Sequence, residues 1–402
     1  MNEDLHLPAQ EQPTPDEERP RVRSLKELVE KITGKSNWSF TGQGDAGLAD
    51  RQPFPFLAMV GQREMKLALL ISLVNPAVGG VLLIGPRGTG KTTAVRGLVD
   101  LLPQTLRSLC YHGCMPEDVE IDGIDSICPE CAQKYARGEP LAALDQVRLI
   151  ELPLNARLED VVGSIDERAA IHDRLRTRRG ILAQADNNLL YIDEVNLLAD
   201  DVVDAILDAA AQGAYTVRRG PVSSTFRSRF VLIGSMNPEE GRLRPQIMDR
   251  FGLRVLVRGL EEPQERMEVY RRVRSYIQQP RAVVNQFQRE ILQAREEIQL
   301  TRDILPQVEI PDSVSQLGLA IVSELHIDSL RAEITMFEAA RAFAALDARS
   351  AVTEADLLEV APISLRMRRS LFMETYFQEQ NSEEEQLHEI IERRKGEGAG
   401  RG

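Results

Sequence analysis

Short, wholly apolar runs punctuate this chain, and helical stretches separate them. Val81-Leu82-Leu83-Ile84, Leu189-Leu190-Tyr191-Ile192 and Phe230-Val231-Leu232-Ile233 lack the alternation of a strand with one wet face. They predict strands buried on both sides, the pattern of a parallel sheet. Val147 to Leu152 and Leu253 to Val257 are further strand-like stretches, and Tyr215 to Arg229 alternates as a hairpin does. A helical pattern at Met65 to Val74 precedes these runs, and others at Thr93 to Leu102, Arg157 to Val162 and Asp201 to Gln212 lie between them. Strands alternating with helices predict an α/β fold with helices on both faces of a parallel sheet.

Beyond Leu260 the pattern becomes purely helical, with helices predicted at Glu262 to Gln278, Ala282 to Ile298, Asp312 to Leu325, Ser329 to Leu346 and Glu354 to Leu371. The chain therefore divides into an acidic, Pro-rich arm (1–50), a sheet-containing domain (51–260), an all-helical domain (261–376) and a Glu- then Gly-rich tail (377–402). The arm holds one short amphipathic run near Leu25 to Ile32, and a Gly-, Pro- and Cys-containing insert, 106–144, interrupts the sheet domain.

Composition narrows the class. A chain of 402 residues with 43% hydrophobic and 28% charged residues supports two cores. No stretch approaches the roughly 18 apolar residues that span a bilayer, and the arm has the form of neither a signal nor a transit peptide, so a cytoplasmic location is expected. A net charge of −13 argues against a general nucleic-acid binder, whose affinity comes largely from Lys and Arg on phosphates.

The chemistry starts where Val81 to Ile84 runs into Gly85-Pro86-Arg87-Gly88-Thr89-Gly90-Lys91-Thr92-Thr93, a G-x-x-x-x-G-K-T sequence. Glycines let the backbone curl its N–H donors around a phosphate chain; Lys91 is expected to reach the β- and γ-phosphates and Thr92 to hold Mg²⁺. Asp193 and Glu194 close the next apolar run, placed to organise the Mg²⁺ shell and to polarise an attacking water. Asn237 ends the next predicted strand, which runs from Phe230 to Asn237, and can orient the same water. Arg250, in Asp249-Arg250-Phe251-Gly252, is a candidate for stabilising phosphoryl charge in a neighbouring subunit, and Arg331 for touching the nucleotide from the helical domain.

In this order the motifs resemble those of the AAA+ ATPases, and the wording is closer to one family among them, the ATPase subunit I of magnesium chelatase. Phe54 to Gln62, Leu152-Pro-Leu-Asn155, Tyr191-Ile-Asp-Glu-Val-Asn-Leu-Leu198, Asn237-Pro-Glu-Glu-Gly241 and Asp249-Arg-Phe-Gly252 carry the resemblance, which covers about Phe54 to Arg369. It implies a AAA+ P-loop domain with a helical lid, in which Lys91 and Thr92 are the Walker A residues and Asp193 and Glu194 the Walker B pair. It further implies Asn237 as sensor 1, Arg250 as the arginine finger, Arg331 as the sensor-2 arginine, and Val60 and Gly61 against the adenine. The implied activity is ATP hydrolysis that drives Mg²⁺ insertion into protoporphyrin IX by a large H subunit, from a homo-oligomeric ring, a hexamer, paired with a D subunit. Pro86 stands where many members carry Asp, which is tolerable if its carbonyl faces away. A MoxR-like chaperone for metalloenzyme maturation and a DNA-acting helicase or loader are alternative readings.

Cys110, Cys114, Cys128 and Cys131 form C-x₃-C-x₁₃-C-x₂-C and are the chain's only cysteines. Two close pairs suit a structural tetrahedral Zn²⁺; the C-x₂-C spacing equally suits a redox pair or free thiols. The resemblance does not require a metal here.

Overall fold

The computed structural model describes residues 52–166, 176–219 and 222–369. The arm, its amphipathic run and the tail lie outside these residues. The described chain begins with α1 (Arg63–Val74), β1 (Val81–Ile84) and α2 (Lys91–Leu98). In the insert, β2 (Thr105–Ser108) and β3 (Ala142–Asp145) pair antiparallel around two short helices, α3 (Pro116–Asp122) and α4 (Pro129–Ala136). Next come β4 (Leu149–Leu152), α5 (Leu158–Val162), the antiparallel pair β5 (Gly163–Asp166) and β6 (Arg176–Arg179), α6 (Ile181–Gln184) and β7 (Leu189–Ile192). Then follow α7 (Asp200–Gln212), the hairpin β8 (Ala214–Arg219) and β9 (Val222–Arg227), β10 (Val231–Met236), α8 (Pro245–Arg250) and β11 (Leu253–Leu256).

Five of these strands form one parallel sheet in the order β11-β1-β10-β7-β4. Every residue of β1, β7 and β10 is buried, as their unbroken apolar runs require, whereas edge strand β4 is mostly half-exposed. Alternate residues feed two cores. Val81, Leu83, Leu189 and Tyr191 pack on one face; Leu82, Ile84, Leu190 and Ile192 pack on the other with α7. From β1 the chain crosses to the far edge, returns strand by strand to β10, and then passes to the other side of β1. The carboxyl end of β1 thus sits at a topological switch point, where ligands of open α/β sheets bind.

The helical region comprises α9 (Pro263–Gln278), α10 (Pro280–Ile304), α11 (Asp312–Glu324), α12 (Leu330–Leu346) and α13 (Glu354–Leu365). Met336, Ala339 and Phe343 of α12 join the apolar cluster of one sheet face, so sheet and helices share a core. Three elements depart from expectation. α10 begins earlier and ends later than 282–298, because Pro280 at its first turn needs no N–H partner. α13 stops at Leu365 rather than Leu371: Pro362 has already removed one N–H, and Arg366 N–H closes the last turn on the Pro362 carbonyl. The β5 and β6 pair falls in a stretch whose charge hid any strand alternation, although Gly163 pairs with Arg179 across it.

Candidate functional site

At the end of β1 the P-loop is locked into the sheet. Gly85 N–H donates to the Met236 carbonyl (3.0 Å), and Val257 N–H donates to Ile84 (2.7 Å). A Cβ on Gly85 would collide with the Val257 carbonyl, so no other residue fits there. Gly90 caps α2 with φ +88, a conformation L side chains avoid. Lys91, the first residue of α2, is buried, and its ammonium donates to the carbonyls of Gly85 (2.7 Å) and Pro86 (2.8 Å). Burial lowers the Lys91 pKa, opposed by the charges of Asp193, Glu194 and Glu240. The Pro86 carbonyl therefore turns into the loop instead of away from it, and it also accepts from Thr89 Oγ1 at 3.0 Å. Proline serves here because this position uses its acceptor and has no call on an N–H.

Beyond β10, strand β7 brings Asp193 beside the loop. Tyr191 Oη donates to Asp193 Oδ1 (2.9 Å), Ser235 Oγ donates to the same oxygen, and Thr92 Oγ1 lies 3.1 Å from Tyr191 Oη and 3.4 Å from Asp193 Oδ2. Glu194 is left-handed (φ +54), and its N–H donates to Ser235 Oγ at 3.1 Å. Its carboxylate pairs with Arg87 (3.1 Å), which also pairs with Glu240. Asn237 is buried; its side-chain oxygen caps the following turn by accepting Glu239 N–H at 3.2 Å. Thr92 and Asp193 supply the hard oxygen ligands that suit Mg²⁺, next to an ammonium and a glycine-rich loop that suit phosphate. Tyr191, Ser235 and Glu240 belong to this site and were not singled out from sequence. Tyr191 shares a strand face with Asp193 two residues on, and Ser235 is a polar residue in an apolar run; Glu240 has no such signal.

Val60 and Gly61 follow a segment clamped against α2. Lys66 Nζ donates to the Met59 carbonyl (2.6 Å) and Arg272 to that of Ala58 (2.9 Å), while the Met59 side chain reaches Gly90. Gly61, with φ +59, packs against Leu260.

Arg250 and Arg331 are elsewhere. Both line one cleft with Gly79, Gly80, Asp208 and Asp249. Gly79 and Gly80 precede β1 and the P-loop follows it, so about 13 Å of strand separates the cleft from the loop. Arg331 therefore lies at the end of β1 opposite its own chain's P-loop, whereas the sequence reading has it touching the nucleotide from the helical region. The reason lies in how α12 starts: Ser329, just before it, donates to Asp249 (3.2 Å), which anchors Arg331 beside α8. Asp249 also accepts from Arg254 (3.3 Å) and Arg368 (2.9 Å), and Arg254 in turn donates to the carbonyls of Arg366 and Met367. Burial, then the Arg368 charge, pushes Arg254 down to about 10 against the pull of Asp249. Arg250 is tied to Asp208 (2.7 Å), whereas Arg331 is exposed and makes no hydrogen bond or ion pair among the described residues.

A P-loop on a central strand of a parallel sheet, an Asp-Glu pair closing a strand of the same sheet, and a helical region packed on one face define a AAA+ ATPase. Residues 319–390 match the AAA lid domain, and residues 163–250 match magnesium chelatase, subunit ChlI. The chain is 42% identical over 323 residues to a magnesium-chelatase subunit ChlI homolog of Methanocaldococcus jannaschii, covering 79% of this chain and 87% of that one. It is 39% identical over 321 residues to the magnesium-chelatase subunit ChlI of Synechocystis, covering 79% and 88%. A solved chain from Cytophaga hutchinsonii, 18% identical, shares the fold with a TM-score of 0.51 over 86% of this chain and 87% of its own. The chain belongs to the magnesium chelatase subunit ChlI family. No helix among the described residues is long and apolar enough to cross a membrane.

Proposed function

We propose that the chain is the ATP-hydrolysing motor of a magnesium chelatase, acting in a hexameric ring with D- and H-type partners to drive Mg²⁺ into protoporphyrin IX on the H subunit. Mg²⁺ held by Thr92 and Asp193 would draw charge from the β- and γ-phosphates of ATP. Lys91 exchanges its two loop carbonyls for phosphate oxygens, and Thr92 with Asp193 holds the ion in place. Glu194 leaves Arg87 to polarise water, and Asn237 steadies that water. Val60 and Gly61 flank the base. Arg250 and Arg331 both complete the site of the neighbouring subunit.

The observation that carries this reading is the separation of the chemistry into two halves. Lys91, Thr92, Asp193 and Glu194 stand at the carboxyl ends of the strands, and both arginines line a cleft at the amino end of β1. A ring brings the two halves together. The test is reconstitution with purified D and H subunits, ATP, Mg²⁺ and protoporphyrin IX, following Mg-protoporphyrin fluorescence. A rise that needs this chain and its Lys91 is expected; none, in a system where another I subunit gives one, overturns the assignment.

A further inference from the structure

The four cysteines converge within the insert. Their sulfurs lie within 4.8 Å of one another, with Cys110 Sγ 3.7 Å from Cys114 Sγ and 3.5 Å from Cys128 Sγ. Sulfurs held at about 2.3 Å around a tetrahedral zinc stand about 3.8 Å apart. All four are thiols, not joined in disulfides.

Two local turns produce this convergence. Gly113, with φ +81, folds the chain back between Cys110 and Cys114. Cys128 caps α4 ahead of Pro129, which puts Cys131 within the first turn of the same helix. Backbone donors point at sulfur: His112 N–H at Cys110 Sγ (3.2 Å) and Cys128 N–H at Cys114 Sγ (3.4 Å). Such N–H groups stabilise thiolate charge in a metal knuckle. Among the described residues, no histidine or carboxylate joins the four sulfurs in the ligand cluster. The His112 ring stacks on Phe226 with centroids 6.2 Å apart, and Asp118 pairs with Arg227 at 2.7 Å. The donor set is thus four soft sulfurs, which selects zinc over magnesium or calcium.

The insert also needs a staple. Its buried cluster consists of Ile127, Leu141, Cys114 and Cys131, far too little apolar surface to fix this stretch of chain. We propose that Cys110, Cys114, Cys128 and Cys131 bind one structural zinc ion. With four protein ligands the site has no open position, so the ion organises the chain and does no chemistry. It holds the Cys110 carbonyl where Arg179 Nη2 donates to it (2.7 Å), Tyr111 beneath the same guanidinium (4.4 Å), and Asp118 against Arg227. The zinc thereby fixes how the insert sits on β6 and β9, and it is independent of the porphyrin-directed function.

Elemental analysis of the full chain, purified with reductant and without chelator, should find about one zinc per chain. Cys131→Ser should weaken zinc binding by more than about tenfold, while Cys131→His, which keeps a zinc ligand, should retain the ion. In case Cys131→Ser fails to fold, the wild-type chain stripped by a chelator should be cleaved within 105–145 at least about tenfold faster, with protection restored by zinc alone. Reduced protein free of metal, iron in place of zinc, or paired disulfides in the native chain would each overturn the proposal.

Discussion

Under the function proposed above, Tyr191 is the residue on which the Mg²⁺ side of the site turns, because its hydroxyl touches both Thr92 and Asp193. Tyr191→Phe removes a donor to one carboxylate oxygen while keeping the ring in its core, a loss of about 1 kcal/mol. The Mg²⁺ concentration for half-maximal ATP hydrolysis should rise about fivefold; titration at saturating ATP reads it, and an unchanged midpoint would remove Tyr191 from the ion's environment. Lys66 makes a different statement. At 3% exposure it is pushed down to about 8 by burial first and by Arg272 second, with Glu265 opposing. Below pH 8 folded and unfolded chains both carry the charge, and the folded one bears the desolvation penalty. Between about 8 and its ordinary 10.5 the unfolded chain binds more protons, so the Lys66 contribution becomes more favourable as pH rises. Lys66→Met should lack this gain: denaturant unfolding at pH 8 and pH 10 should show the wild type gaining relative to the variant. Parallel profiles would mean that Lys66 titrates normally.

At the scale of elements, α13 depends on one carboxylate. Asp356 accepts from Thr353 N–H (2.8 Å) and Oγ1 (2.7 Å), and from both terminal nitrogens of Arg349 at 2.5 and 2.6 Å. Burial alone would raise its pKa; the bonds from Arg349 and Thr353 outweigh burial and hold it below the usual carboxylate range. The stabilisation is complete above the ordinary value and is lost as pH falls through the lowered one. Asp356→Ala should cost about 2–4 kcal/mol, seen as faster hydrogen exchange across Glu354–Leu365 while β1 stays protected. Equal acceleration of both would make the cap a global support. The elements legible in sequence were those whose burial dictates an apolar composition, β1, β7 and β10, where the buried hydroxyl of Ser235 is paired with Asp193. The β5 and β6 pair was not legible, since its arginines satisfy no pattern that distinguishes strand from coil. The end of α13 followed from Pro362, a signal present in the sequence but weaker than the apolar period running past it.

For the whole molecule, the separation of Arg250 and Arg331 from Lys91 makes a single chain an incomplete enzyme under the reading proposed above. Arg250→Ala and Lys91→Ala chains should each bind into rings and each lose hydrolysis about 10³-fold or more. Mixed rings should regain activity, because an Arg250→Ala subunit keeps a working P-loop and a Lys91→Ala neighbour keeps the finger. Mixed rings verified by native mass spectrometry but inert would place Arg250 outside its neighbour's chemistry. Sequence order offers candidates for this site and cannot show which of them meet. Arg331 lies far along the chain from Lys91, and the packing of α12 on the sheet core, with Ser329 anchored on Asp249, sets which end of the sheet it is on.

That anchoring gives Asp249 a mechanical meaning. Its carboxylate, on the residue preceding Arg250, holds the start of α12 two residues before Arg331 and, through Arg254 and Arg368, the strand β11 and the segment that follows α13. Under the ring reading proposed above, a pull on either arginine by a neighbour's phosphate would act about Asp249 as a fulcrum. Under that reading, departure of the phosphate would release the helical region of the subunit that lends the arginines, whose own P-loop lies at the other end of β1.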